Sequence, residues 1–172
     1  MTVYALGDLT PEIHSAAYVH PDATIIGAVT IGAQASIWPA AVLRGDFGRI
    51  EIGERTSIQD GTVIHSTERW PTIIGPDCVV GHNAHLEGCR VGAGCLIGSG
   101  SIVLNRAVIE AGAGVGAAAL VAEDTVVVTG QVALGVPARQ RPAPDLKAWI
   151  AEAVDEYVGV AERFRTELRR ID

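Results

Sequence analysis

The chain has 172 residues, 48% of them apolar and 5% aromatic, and a formal net charge of −7. That length suits one domain with a substantial core, and the acidic balance argues against nucleic acid or an anionic membrane as a general partner. No apolar run approaches the roughly 20 residues of a membrane span and no charged-then-apolar leader opens the chain, so a cytoplasmic protein is expected.

In chain order, the first two dozen residues are irregular, with Val19 and Ile26 expected as the first inward positions. An aliphatic residue then returns at every sixth position: Ile31, Ile37 and Leu43, then Ile52, Ile58 and Ile64, then Ile74, Val80 and Leu86. After a five-residue step the series resumes at Val91 and runs to Val127. Neither the 3.6 period of a helix nor the alternation of a strand produces a strict six. A fixed short period marks a solenoid, in which each repeat buries its apolar side only against its neighbours. With a triangular cross-section, three hexads complete one coil, and each hexad supplies a short strand and a corner. Glycines such as Gly53 and Gly75 follow inward aliphatics at the corners, where the missing Cβ allows close backbone approach.

Cys78, Cys89 and Cys95 each stand two residues before an inward aliphatic, so each is expected to point inward as a small core filler. Their odd number fits a reducing compartment rather than a disulfide framework. Two insertions, around Gly45–Arg49 and Thr67–Pro71, interrupt the hexads and are expected to bulge outward, where a solenoid places binding groups. The pattern fades through Leu134-Gly135-Val136-Pro137. Residues 1–140 are therefore assigned to the β-helix, and the Pro-rich stretch Arg139–Pro144 to a hinge. Residues 141–172 are assigned to a C-terminal helix with Asp145 as its N-cap. Its apolar stripe, Trp149, Ala153, Tyr157, Ala161, Phe164 and Leu168, is expected to pack on the solenoid or on a neighbouring subunit.

Three of the five histidines, His65, His82 and His85, fall close together in the chain. Ile64 and Leu86 are one coil apart, so the residues after them, His65 and Glu87, stack outward on one face at about the 4.8 Å strand spacing. His82 belongs to a corner of the same coil and could join that pair only from another copy packed alongside. Imidazoles converging with a carboxylate suit zinc, or iron or cobalt in a two-histidine, one-carboxylate arrangement. A second polar group comprises Arg44, Asp46, Gln59 and Asp60. Arg44 and Gln59 follow inward residues and are expected to project outward on different faces, so contact between them would cross a subunit boundary. A guanidinium held by carboxylates makes a good interface lock or an orienting group.

At these residues the chain resembles the gamma-class carbonic anhydrases of the left-handed β-helix, hexapeptide-repeat superfamily. The resemblance rests on Ser36-Ile37-Trp38-Pro39, Leu43-Arg44-Gly45-Asp46, Ser57-Ile58-Gln59-Asp60-Gly61, Val63-Ile64-His65, Val80-Gly81-His82-Asn83-Ala84 and Leu134-Gly135-Val136-Pro137-Ala138. It covers most of residues 10–140. It implies the left hand of the helix and a homotrimer with metal sites between subunits. By position, His65 is the first ligand and His82 the one reaching across. Arg44, Asp46 and Asp60 knit the trimer, and Gln59 lies near the metal-bound solvent. The third ligand position holds Glu87 where the family pattern has histidine, leaving Glu87 or His85 as the third ligand. Phe47 follows Asp46 in a segment where the family carries proton-transferring acids, and Glu68 is the nearest alternative acid.

The implied activity is reversible hydration of carbon dioxide to bicarbonate by a metal-bound hydroxide at the trimer interface, with Zn2+, or Fe2+ or Co2+, as cofactor. Two alternatives stand beside it. One is a hexapeptide-repeat acyltransferase in which His82 or His85 is a general base. The other is a catalytically inactive trimer that binds metal or a small molecule.

Overall fold

The computed structural model describes residues 2–172. The chain winds a parallel β-solenoid of about seven turns, a left-handed β-helix, and ends in a single α-helix. Three stacks of short strands form the faces of a prism. The first face contains Val63–His65, His85–Glu87, Ile102–Val103 and Leu120–Val121. The second contains Thr72–Ile74, Arg90–Val91, Val108–Ile109 and Val126–Val127. The third contains Ser36–Ile37, Ser57–Ile58, Val79–Val80, Leu96–Ile97 and Gly114–Val115.

The register follows the hexads. Ile64 lies beside Leu86, Ile74 beside Val91, and Ile58 beside Val80. All of these inward aliphatics are buried. Each contributes about 1.5–3 kcal/mol by leaving water. Such a narrow core has room for aliphatics and small residues, which explains the low aromatic content. Cys78, Cys89 and Cys95 are fully buried within it. Burial pushes the Cys89 thiol up to about 12, and a hydrogen bond with Cys95 together with burial raises that of Cys78. Neither is a thiolate near neutral pH.

Four local expectations are corrected or refined. Ile25, not Ile26, points inward; Ile26 pairs outward beside Arg44. The first insertion bulges outward as expected, but from within a strand: Val42–Ile52 runs from the first face to the second, and Asp46–Arg49 have no partner in the neighbouring strand. Its two ends, Val42–Gly45 and Ile50–Ile52, pair with Thr24–Ile31, whose register shifts between Gly27 and Val29. The Pro-rich hinge is partly a strand: Arg139–Pro142 pairs antiparallel with Gln131–Leu134 and carries the last sheet past residue 140.

The fourth correction concerns the helix, Leu146–Glu167. Asp145 occupies the N-cap position, but its side chain makes no capping hydrogen bond. Four of the six residues of the expected stripe, Ala153, Tyr157, Ala161 and Phe164, pack on the solenoid, and its two ends do not. Ile150 and Val154 sit against Val79, while Trp149 and Leu168 face solvent. The reason is the surface offered by the third face. Tyr18 and Trp38 form an aromatic shelf there, and Trp38 stacks edge-on against Tyr157 and Phe164. Trp38 is held in place because its Nε1–H donates to Ser57 Oγ at 2.9 Å. Arg55 ties the helix down by donating to Asp77 at 2.8 Å and to Asp155 at 2.6 Å. The helix thus covers the third face and leaves the first uncovered, with Val63 and Ile102 exposed on it. No helix among the described residues is long and apolar enough to cross a membrane.

Candidate functional site on the uncovered face

The strand register sets out the polar residues in rows. Arg44 lies beside His65, and His65 beside Glu87, as neighbours on consecutive rungs. One step back along the same strands, Val42, Val63 and His85 form a parallel row. Both rows project outward, because Leu43, Ile64 and Leu86 between them point into the core. The expected stacking of His65 and Glu87 is therefore present in the fold, with Arg44 added below and His85 alongside.

The side chains are already partnered. His65 Nε2 is 2.9 Å from Asp46 Oδ1. Asp46 also accepts from Arg44 Nη1, so the guanidinium and the imidazole share one carboxylate. Burial raises the Asp46 carboxyl, but the hydrogen bonds from His65 and from backbone, with the Arg44 charge, outweigh it and hold Asp46 below the usual carboxylate range. An ionised carboxylate only accepts, so His65 Nε2 carries the hydrogen and its Nδ1 faces the other way. That Nδ1 lies 3.6 Å from Glu87 Oε2, and His85 Nε2 lies 3.6 Å from the same oxygen. Phe47 stands edge-on to the His65 ring with 66% of its surface exposed.

At the corner between the third and first faces, His82 Nδ1 is 2.9 Å from Asp60 Oδ2 one rung below. This dyad is half exposed and belongs to a separate cluster from His65, His85 and Glu87 in one chain. Gln59 was expected to project outward; it is instead 4% exposed, tucked into the packing of that corner. Arg44 pairs with Asp46 within the chain, and Asp60 with His82. Among the described residues, no three His, Cys, Asp or Glu groups of a single chain already surround one point at metal-ligand spacing. The donor types nevertheless suit zinc, iron or cobalt: two imidazoles, one carboxylate, and a second carboxylate on the far nitrogen of His65.

One contributor was missed. Thr72 is fully buried, donates its hydroxyl to the His65 carbonyl oxygen, and accepts from the Gly88 N–H at 2.8 Å. It fixes the backbone on both sides of the corner that follows His65 and Glu87. The signal was a hydroxyl two residues before the inward Ile74, where an aliphatic or small apolar residue would otherwise fill the core. Thr72→Val keeps the volume but orphans a buried N–H and a carbonyl, so it should lower unfolding stability by about 1–3 kcal/mol. Chemical denaturation would measure it, and an unchanged midpoint would remove Thr72 from this account.

Comparison with known proteins places these features. A family model for the bacterial transferase hexapeptide (six repeats) matches residues 71–105. The carnitine operon protein CaiE of Escherichia coli strain K12 is 35% identical over 176 residues, covering 98% of this chain and 87% of CaiE. Gamma carbonic anhydrase 1, mitochondrial, of Arabidopsis thaliana is 36% identical over 174 residues, which is 96% of this chain; the chain spans 63% of that relative's length. Among solved structures, a hexapeptide transferase family protein from Anaplasma phagocytophilum is similar with a TM-score of 0.91 and 34% identity, over 95% of this chain and 98% of its own.

Proposed function

Because the chain belongs to the hexapeptide-repeat family that includes CaiE and the gamma carbonic anhydrases, we propose that it forms a homotrimer whose uncovered faces hold a divalent metal and hydrate carbon dioxide reversibly to bicarbonate. The observation that carries this reading is the in-register ladder Arg44–His65–Glu87, with Asp46 bound to the far nitrogen of His65. A carboxylate behind an imidazole fixes its tautomer and raises its basicity as a ligand, a recurring arrangement around catalytic metals.

His65 is the first ligand, His82 of an adjoining copy approaches from its corner, and Glu87 or His85 completes the set. Zinc bound there, or iron or cobalt, supplies Lewis-acid activation of water. The protein's own groups do the rest. Asp46 orients His65, and Arg44 holds Asp46 ionised while offering its remaining N–H groups to the anionic product. Asp60 orients His82 through Nδ1 and leaves Nε2 free to face a neighbour. Gln59, being buried, supports the corner that presents this dyad. An anionic ligand such as Glu87 makes the metal a weaker Lewis acid than three imidazoles would, which moves activity towards alkaline pH.

Stopped-flow hydration of carbon dioxide by anaerobically purified, zinc- or iron-loaded protein, between pH 7 and pH 9, tests the reading. Chelator-sensitive hydration that rises with pH is expected. Stoichiometric metal with no hydration above buffer at any of these pH values would reject the catalytic part. A second reading is favoured by one feature, the half-exposed His82–Asp60 dyad, which is a general-base arrangement suited to acyl transfer. Thermal stabilisation by acetyl-coenzyme A, with no response to zinc, would install that reading instead.

A further inference from the structure

We infer that the cleft between the first half of the C-terminal helix and the corner joining the second and third faces binds a small aliphatic carboxylate, whose charged group sits at Lys147. That corner is the edge of the prism opposite the first face. Neither the first face nor a metal takes part.

The stacking of the corners explains why space is left there. Gln34, Arg55, Asp77, Gly94, Gly112 and Gly130 form one column, each corner hydrogen-bonded to the one before it. All six have left-handed backbone, with φ between 54° and 75°. The first three show that this column accepts side chains, and Arg55 uses its own to reach Asp155 on the helix at 2.6 Å, closing the gap on its rung. The next three rungs carry glycine. A Cβ on Gly94 or Gly130 would meet no atom within 4 Å, and one on Gly112 only the Thr129 methyl at 4.0 Å. Close approach of the rungs is not what keeps these positions bare, unlike Gly53 and Gly75. The result is a cleft of about 560 Å³, within the size range of small-molecule sites.

Its chemistry is apolar along the middle and charged at the ends. Ile150 and Val154 of the helix face Ala93 and Ala111 of the corner across it. At one end Arg55 is held by Asp77 and Asp155, which commits its charge. At the other end Lys147 lines the cleft and has no ion-pair partner among the described residues. Lys147 lies in the first turn of the helix, which contains no acidic residue, and the Asp145 side chain does not cap it. An ammonium at the positive end of a helix dipole is an unfavourable pairing that an anion relieves. Lys147 and Asp155 are separated by about 12 Å along the helix axis, enough for an extended octanoate with its carboxylate on Lys147 and its chain against the alanines.

Calorimetric titration of the full-length protein with octanoate, in the presence of a chelator so that metal plays no part, tests the site. Octanoate should bind once per chain, and octylamine, with the same chain and the opposite charge, at least about tenfold more weakly. Lys147→Met should lose at least about tenfold in octanoate affinity, while Lys147→Arg stays within about threefold of the parent. Ala151→Phe places a ring in the cleft from an exposed helix position and should abolish binding while melting within a few degrees of the parent. A parent that does not bind millimolar octanoate overturns the inference. So does octylamine that binds as well as octanoate, or a Lys147→Met or Ala151→Phe protein that binds octanoate like the parent. None of these results touches the metal-dependent function, which the chelator keeps out of the measurement.

Discussion

A His65→Ala protein is expected to melt within a few degrees of the parent and to bind zinc at least about 100-fold more weakly. His65 is the one donor that every form of the metal reading requires. It is also the donor whose orientation is fixed by the fold, through the Asp46 hydrogen bond at 2.9 Å and the Thr72 hydroxyl on its carbonyl. Its ring lies on the outside of the prism rather than in the core, so truncation leaves no internal cavity. Asp46→Asn is the graded companion. An amide keeps the shape but can present its NH2 to Nε2, favouring the tautomer that places hydrogen on Nδ1, towards Glu87. Zinc affinity should fall by about 10–100-fold, with less change in stability than in metal binding. Calorimetric zinc titration of both variants checks the pair. Unchanged affinity in His65→Ala would remove the site from this face.

The second large effect concerns the scaffold. Gly53→Val should leave little folded protein at 37 °C, because a side chain at this corner has nowhere to go. A Cβ on Gly53 would lie 2.4 Å from the Gly75 carbonyl carbon and 2.4 Å from the Pro76 nitrogen, both backbone atoms of the next rung. Gly75 has the same relation to Ala93, at 2.9 Å from its backbone nitrogen. Coils therefore approach too closely here for any side chain, and relief would require separating two rungs and breaking their hydrogen bonds. Overpacking of a yielding core costs about 1–3 kcal/mol; backbone that cannot yield exceeds that, against a total stability of about 5–15 kcal/mol. Gly159→Ala is the control: it sits inside the C-terminal helix with open space around it, and should stabilise by about 0.5–1 kcal/mol. A Gly53→Val protein that melts like its parent would contradict the stacking described at this corner.

Most of the scaffold was legible because the core is one-dimensional. A six-residue period names the inward residue of every strand, and once Ile64 and Leu86 are neighbours, His65 and Glu87 must be as well. Where the pattern was ambiguous, it failed for identifiable reasons. Ile25 and Ile26 are adjacent aliphatics, and the strict six counted back from Ile31 selects Ile25, which pairs beside the buried Leu43. Trp149 and Ile150 are a real ambiguity in the helix, resolved by Val79 and Leu96 of the third face, which pack with Ile150 and are far away in sequence. The break in the hexads announced the bulge at Asp46–Arg49, but not that the chain remains one strand through it. Contacts between corners were equally hidden. His82 and Asp60 meet because equivalent corners stack, whereas periodicity had spoken only for strands.

The most direct test of the whole account is anomalous diffraction at the zinc edge from crystals grown with zinc. One peak per chain is expected on the uncovered face, about 2.0–2.2 Å from His65 Nδ1 and from either a Glu87 oxygen or a His85 nitrogen. Zinc absent from that face, or found only on groups elsewhere in the molecule, would contradict it.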